Sequence, residues 1–130
     1  MKGYILNIEE ETRKNKDYRR VLYTGKNSQL VLMSLRVGEE VGEEVHHLDQ
    51  FIRIEEGTAE AIMDGIRHVL LQDFAVVIPA GMRHNIINIG DSDLKLYTVY
   101  APPEHKDGLI EHTKADEVEE HFDGITTEQP

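Results

Sequence analysis

The sequence predicts an all-β chain, an antiparallel barrel or sandwich of short strands that ends in a short helical or irregular tail. Three observations carry this. Segments rich in β-branched and apolar residues recur at short, regular intervals between 29 and 101, with turn residues between them. Asp64-Gly65, the pair favoured in a two-residue type I′ turn, sits between two such segments. Pro102-Pro103 then closes the series, because proline cannot donate to a strand ladder.

Each element follows from local pattern. Residues 29–37 (QLVLMSLRV) alternate in the manner of a strand. Residues 51–56 form a second apolar run, stopped by Gly57. Residues 59–63 and 66–71 flank the Asp64-Gly65 turn as a hairpin. Residues 74–78 run into Pro79, and Gly81 completes that turn. Residues 84–89 follow, then Gly90-Asp91 as a turn, then 94–101 as the last clear strand. Ahead of the series, 18–24 is an outlying strand. Beyond it, 115–121 is expected as a short acidic helix and 123–130 as frayed chain. The chain thus divides into an N-terminal arm with an edge strand (1–28), a barrel (29–103) and a C-terminal tail (104–130).

Composition narrows the function. A chain of 130 residues is one domain with its own core. With no cysteine, disulfides, thiolate ligation and a cysteine nucleophile are excluded. The formal net charge of −11 repels phosphates, so neither nucleic acid nor an anionic membrane is an expected partner. No apolar run reaches the length of a membrane span, and no basic-then-apolar leader opens the chain, so a cytoplasmic protein is expected.

The informative stretch is 38–57, where Glu44, His46 and Gln50 fall at even spacings with Ile52 and Ile54 beyond them. In an extended chain, residues two or four apart share a face. His84 and Asn88 share a face of a second strand in the same way. Two imidazoles, a carboxylate and an amide converging inside a barrel are donors for a metal ion, and a buried carboxylate needs such a counter-charge. His47, adjacent to His46, points to the opposite face. His68 is read as exposed, His105 as part of a solvated loop turned across one barrel end by the two prolines, and His112 and His121 as tail residues without a motif.

These residues resemble the two motifs of the cupin superfamily, usually written G-x5-H-x-H-x3,4-E-x6-G and G-x5-P-x-G-x2-H-x3-N. Gly38, His46 and Gly57 fit the first, with Glu44 at the place of its first histidine and Gln50 at the place of its glutamate. Pro79, Gly81, His84 and Asn88 fit the second, with Asp73 replacing the opening glycine. The resemblance spans 29–103 and implies a double-stranded β-helix, a jelly-roll barrel holding one divalent metal. Carried onto this chain, the metal ligands are Glu44, His46, Gln50 and His84. The carboxylate has moved from the Gln50 position to the Glu44 position, which keeps the charge at the site. Glu44, His46 and His84 together have the composition of a two-histidine, one-carboxylate triad. Iron, manganese, nickel and zinc all suit such a set.

The resemblance implies a metal-dependent, isomerase-like enzyme on a small polar molecule such as a sugar, sugar phosphate or organic acid, with Glu44 as the catalytic group. A non-heme iron oxygenase and a non-catalytic small-molecule or metal-binding cupin are the alternatives. No Arg/Lys cluster for a phosphate is visible; Arg53, Arg67, Arg83 and Lys95 are scattered. A homodimer is also expected, with 18–24 shared between subunits to cover an exposed edge.

Overall fold

A computed structural model describes residues 1–129. It holds ten strands, one α-helix and a single 3-10 turn. In chain order these are α1 (Ile8–Lys14), β1 (Arg19–Thr24), β2 (Gln29–Leu35), β3 (Glu44–Val45), β4 (Asp49–Glu56), β5 (Ala59–Met63), β6 (Ile66–Leu70), β7 (Ala75–Ile78), β8 (Arg83–Asn88), β9 (Leu94–Ala101) and β10 (Ile110–Glu111). The strands form two antiparallel sheets, one ordered β10-β1-β2-β9-β4-β7 and the other β3-β8-β5-β6.

Alternation explains how the sheets close on one another. Val31, Met33 and Leu35 of β2, Ile52 and Ile54 of β4, and Leu94 and Leu96 of β9 face inward from the larger sheet. Ala59 and Ala61 of β5 and Ile86 of β8 meet them from the smaller sheet. Full burial of one such branched side chain contributes about 1.5–3 kcal/mol, so this two-sheet core dominates the stability. The hairpin β5–β6 turns at Asp64 and Gly65, with φ of 48° and 81°, as a type I′ turn requires. Gly57 is also demanded by its surroundings. Its φ is 95°, and a Cβ there would lie 3.0 Å from the Asp93 carbonyl oxygen.

The ends of the chain depart from the sequence reading. The arm contains α1, which was not anticipated. Asn7 caps it by accepting a hydrogen bond from the Glu10 amide at 3.1 Å, and acidic residues open it while Arg13 and Lys14 close it. Lys95, one of the scattered cations, is buried and fastens the helix end to the sheet. Its ammonium donates to the Asn15 carbonyl (2.6 Å) and to Ser34 Oγ (2.9 Å). Strand β1 is not an outlying edge: it pairs with β2 on one side and β10 on the other, within the same chain.

The helix expected over 115–121 is absent. A 3-10 turn over Lys114–Asp116 stands there instead, with an Asp116 carboxylate accepting from the Thr113 amide at 3.1 Å. The expected fraying of 123–130 also fails for the residues described. Thr126 is buried, Thr127 pairs with the Thr24 carbonyl, and Glu128 accepts from the Tyr23 hydroxyl at 2.5 Å; Pro130 lies outside the described residues. Among the described residues no helix is long and apolar enough to cross a membrane.

Candidate functional site

The barrel interior ends in a small enclosed cavity lined by Glu44, His46, Gln50, His84 and Tyr100, with an apolar wall that includes Met33, Ile52, Ile86 and Leu96. All four predicted ligands therefore reach one place, though not by the route that predicted it. Glu44 belongs to β3 in the smaller sheet and Gln50 to β4 in the larger one. The chain crosses between sheets around His46, so the even spacing of Glu44, His46 and Gln50 does not reflect one continuous strand. His84 arrives from β8, where it stands directly opposite Glu44 in the β3–β8 register.

Hydrogen bonds fix each group. Glu44 Oε2 and His46 Nε2 bond to one another. His84 Nδ1 lies 3.0 Å from the Met82 carbonyl, which sets the proton on Nδ1 and leaves Nε2 as the lone-pair nitrogen. Gln50 donates from Nε2 to Thr98 Oγ1 at 3.0 Å, while its Oε1 is buried without a partner. His46 Nδ1 is likewise buried and unpartnered. The His46 and His84 rings lie edge to face with centroids 5.1 Å apart, and Tyr100 flanks His46 at 5.9 Å.

Charges at the site are coupled. Burial by itself pushes the Glu44 carboxyl up, but the His46 hydrogen bond and the positive charges of His46 and Arg19 outweigh it and hold Glu44 below its ordinary range. Burial likewise pulls the His46 imidazole down, and Glu44 outweighs it, so His46 stands above its ordinary value. The pair favours a carboxylate facing an imidazolium. Burial keeps the Tyr100 phenol protonated well above its usual range.

A divalent ion fits this donor set by composition. Gln50 Oε1 lacks any partner, His84 presents Nε2, and the enclosed space of about 10 Å³ admits one water-sized particle and no organic molecule. Among the described residues no three His, Asp or Glu side chains already stand as a metal cluster. The Glu44–His46 hydrogen bond turns two donor atoms onto each other. A cation enters such a set by replacing the proton those atoms share.

Glu44, His46 and Val41 also line a second space, an open vestibule of about 580 Å³ on the outer side of the same wall. That volume suits a small-molecule ligand. Its lining includes Arg19, Glu43, Glu104, His105, Glu117 and His121. The two-chamber arrangement places Glu44 and His46 between the ion-sized cavity and the space open to a ligand.

Several sequence readings need correction here. His105 is not in a solvated loop: its ring packs edge-on against Tyr100 with centroids 5.1 Å apart, and its backbone is pinned by Gln29 through amide and carbonyl hydrogen bonds of 2.9 and 2.7 Å. His121 lies in the vestibule wall. Asn88 is far from a ligand role. It is buried, donates to the Leu35 and Ser92 carbonyls at 3.0 and 2.9 Å, and accepts from the Gly90 amide, so it ties a turn together. His47 and His68 are exposed, His47 in the bend between β3 and β4 and His68 on β6. Arg53, Arg67 and Arg83 are engaged with Asp73, Glu60 and Glu43 respectively, and none of them lines the vestibule. Arg19 was missed, although a charged residue two positions before Val21 on one strand face is a visible signal.

Burial, reinforced by the positive charges of Arg19, His46 and His121, pulls the His105 imidazole from 6.5 down to about 3. The unfolded chain therefore takes up a proton here as pH falls through 6.5, while the folded chain does so only near 3. Stability is expected to fall with decreasing pH across that window, by up to about 1.4 kcal/mol per pH unit from this group. His105→Gln keeps the backbone hydrogen bonds and removes the titration. Urea unfolding from pH 7 to pH 4 is expected to show a shallower loss in the variant; parallel curves would contradict the burial of His105 as neutral.

Comparison with known proteins agrees with the geometry. The model of the Cupin domain family matches residues 31–100. The uncharacterized protein YrkC of Bacillus subtilis (strain 168) is 45% identical over 124 residues, covering 90% of this chain and 67% of the relative. The uncharacterized protein L612 of Acanthamoeba polyphaga mimivirus is 49% identical over 113 residues, covering 83% and 71%. The crystal structure of BH2720 from Bacillus halodurans superposes with a TM-score of 0.87 at 44% identity, covering 88% of this chain and 92% of that one. With two packed antiparallel sheets, both motif regions at one barrel cavity and a family match over most of the strands, the chain belongs to the cupin domain family.

Proposed function

We propose that this cupin is an isomerase-type enzyme in which the Glu44–His46 pair moves a proton on a small polar molecule held in the vestibule. The observation that carries this reading is the position of the pair in the wall shared by the enclosed cavity and the open vestibule. A carboxylate bonded to an imidazolium is a ready couple: Glu44 accepts a proton from the ligand, and His46 returns one to a neighbouring atom. Tyr100, protonated and packed edge-on against His46 from the cavity side, holds the imidazole in place. The apolar wall behind the pair excludes bulk water and strengthens these interactions.

Glu44, His46, His84 and Gln50 would hold one divalent cation once the proton shared by Glu44 and His46 is displaced, so the ion and the proton couple are alternative states of the site. Bound there, it would polarise a carbonyl or hydroxyl as a Lewis acid. The two-histidine, one-carboxylate composition gives a second reading, an iron-dependent oxygenase. Oxygen separates the two. Proton transfer within a substrate needs no oxidant, so turnover is expected at the same rate under argon as in air, with no oxygen uptake at an electrode. Turnover that stops under argon and consumes oxygen in air would replace the isomerase reading with the oxygenase one.

A further inference from the structure

Arg19 opens β1 and is 4% exposed, yet it lines the vestibule beside Glu44 and His46. Its Nη1 donates to Glu111 Oε1 at 2.5 Å and to Glu117 Oε2 at 3.2 Å. Its Nε is buried without a partner, and among the described residues Nη2 makes no hydrogen bond either. In a guanidinium the Nε–H and the neighbouring Nη2–H run parallel and form one fork. Nε is thus an idle donor in a place where leaving one unpaired costs about 1–3 kcal/mol, and Nη2 beside it is open to solvent. An edge of this kind calls for a ligand that offers two adjacent oxygens.

Charge decides what sort of oxygens. Two carboxylates, Glu111 and Glu117, already face the single positive charge of Arg19, so the fork offers donors and no spare positive charge. Around it the vestibule carries Glu43, Glu44, Glu104, Glu119 and Glu120. A phosphate or carboxylate entering there meets net negative charge. A simple cation would suit the acidic wall but leave the fork unmet. An uncharged, hydroxylated molecule satisfies both sides, because its oxygens accept from Arg19 and its hydroxyl hydrogens are accepted by the carboxylates.

We propose that Arg19 is the specificity-determining residue of the vestibule, and that the site takes uncharged molecules bearing vicinal oxygens, such as a diol or an α-hydroxycarbonyl, while rejecting their anionic counterparts. This rests on the vestibule being the ligand site of the proposed function, and it narrows the sequence expectation, which also admitted sugar phosphates and organic acids. Isothermal titration of the purified chain with dihydroxyacetone, dihydroxyacetone phosphate, glycolate and glycine tests it. Wild type is expected to bind dihydroxyacetone at least tenfold more tightly than the other three. Arg19→Lys keeps the charge facing Glu111 but has no fork, and is expected to lose at least tenfold in affinity for dihydroxyacetone.

The double substitution Glu119→Gln, Glu120→Gln lies at exposed positions and spares the fold. It removes two negative charges from the vestibule wall and is expected to strengthen dihydroxyacetone phosphate binding several-fold at low salt; phosphate binding unchanged from wild type would contradict exclusion of anions by charge. Equal or tighter binding of the phosphate, glycolate or glycine by wild type, no binding of dihydroxyacetone, or an Arg19→Lys variant that binds it as wild type does would each overturn the proposal. Glu44→Gln separates this from the proposed reaction. That variant is expected to keep the binding and lose the turnover, so binding without any turnover in wild type counts against the reaction alone.

Discussion

Glu44→Gln is expected to lower turnover by about 10²–10⁴-fold, the usual contribution of a positioned proton-transfer group. The substitution keeps the shape of the side chain and a hydrogen bond to His46, so the barrel and the vestibule should persist. What it removes is the acceptor for a proton and the negative charge that holds His46 above its ordinary range. His46 in the variant should therefore titrate lower, which proton NMR of the ring resonances detects independently of activity. A variant with wild-type turnover would show that Glu44 is only a partner for His46, and the proton carrier would have to be sought elsewhere in the vestibule.

The second large effect concerns the metal. His46→Ala and His84→Ala are each expected to reduce bound divalent ion to less than about a tenth of wild type after loading with manganese or iron(II) and desalting. Loss of a single ligand from a set of four costs several kcal/mol when the rest cannot close the gap. His47→Ala, one residue from His46 but exposed, should leave the content unchanged. Elemental analysis of the three purified variants reads this directly. Equal content in all three, wild type included, would place any ion outside the cavity and leave the Glu44–His46 pair to act as a proton couple alone.

Much of the barrel was legible because its strands obey period-two patterning and end at turn residues with a mechanical reason to be there. Asp64-Gly65, Gly57 and Pro102-Pro103 mark strand ends that the structure keeps. The elements that escaped are short or peripheral. Strands β3 and β10 have two residues each, too few for any periodicity to show. Helix α1 has seven residues and no apolar stripe; its evidence was the Asn7 cap and the charge order from Glu9 to Lys14.

Within the site, the contrast is between residues that share a motif and residues that share only space. Glu44, His46, Gln50 and His84 were found because the two motifs carry them. Arg19, His105 and His121 come from the arm and the tail, and only the closure of β1 and β10 onto the sheet brings them to the vestibule. The even spacing of Glu44, His46 and Gln50 pointed to the right residues for an incomplete reason. Their convergence depends on the crossing from one sheet to the other, which no local pattern encodes.

The central claim is that the Glu44–His46 pair transfers a proton on a ligand in the vestibule. Proton NMR of dihydroxyacetone and of neutral aldoses and ketoses, incubated with the protein in heavy water under argon, tests it most directly. The account expects solvent deuterium at a carbon next to a carbonyl in at least one of them with wild type, and none above background with Glu44→Gln. Exchange at equal rates in both proteins, or in neither, would contradict it.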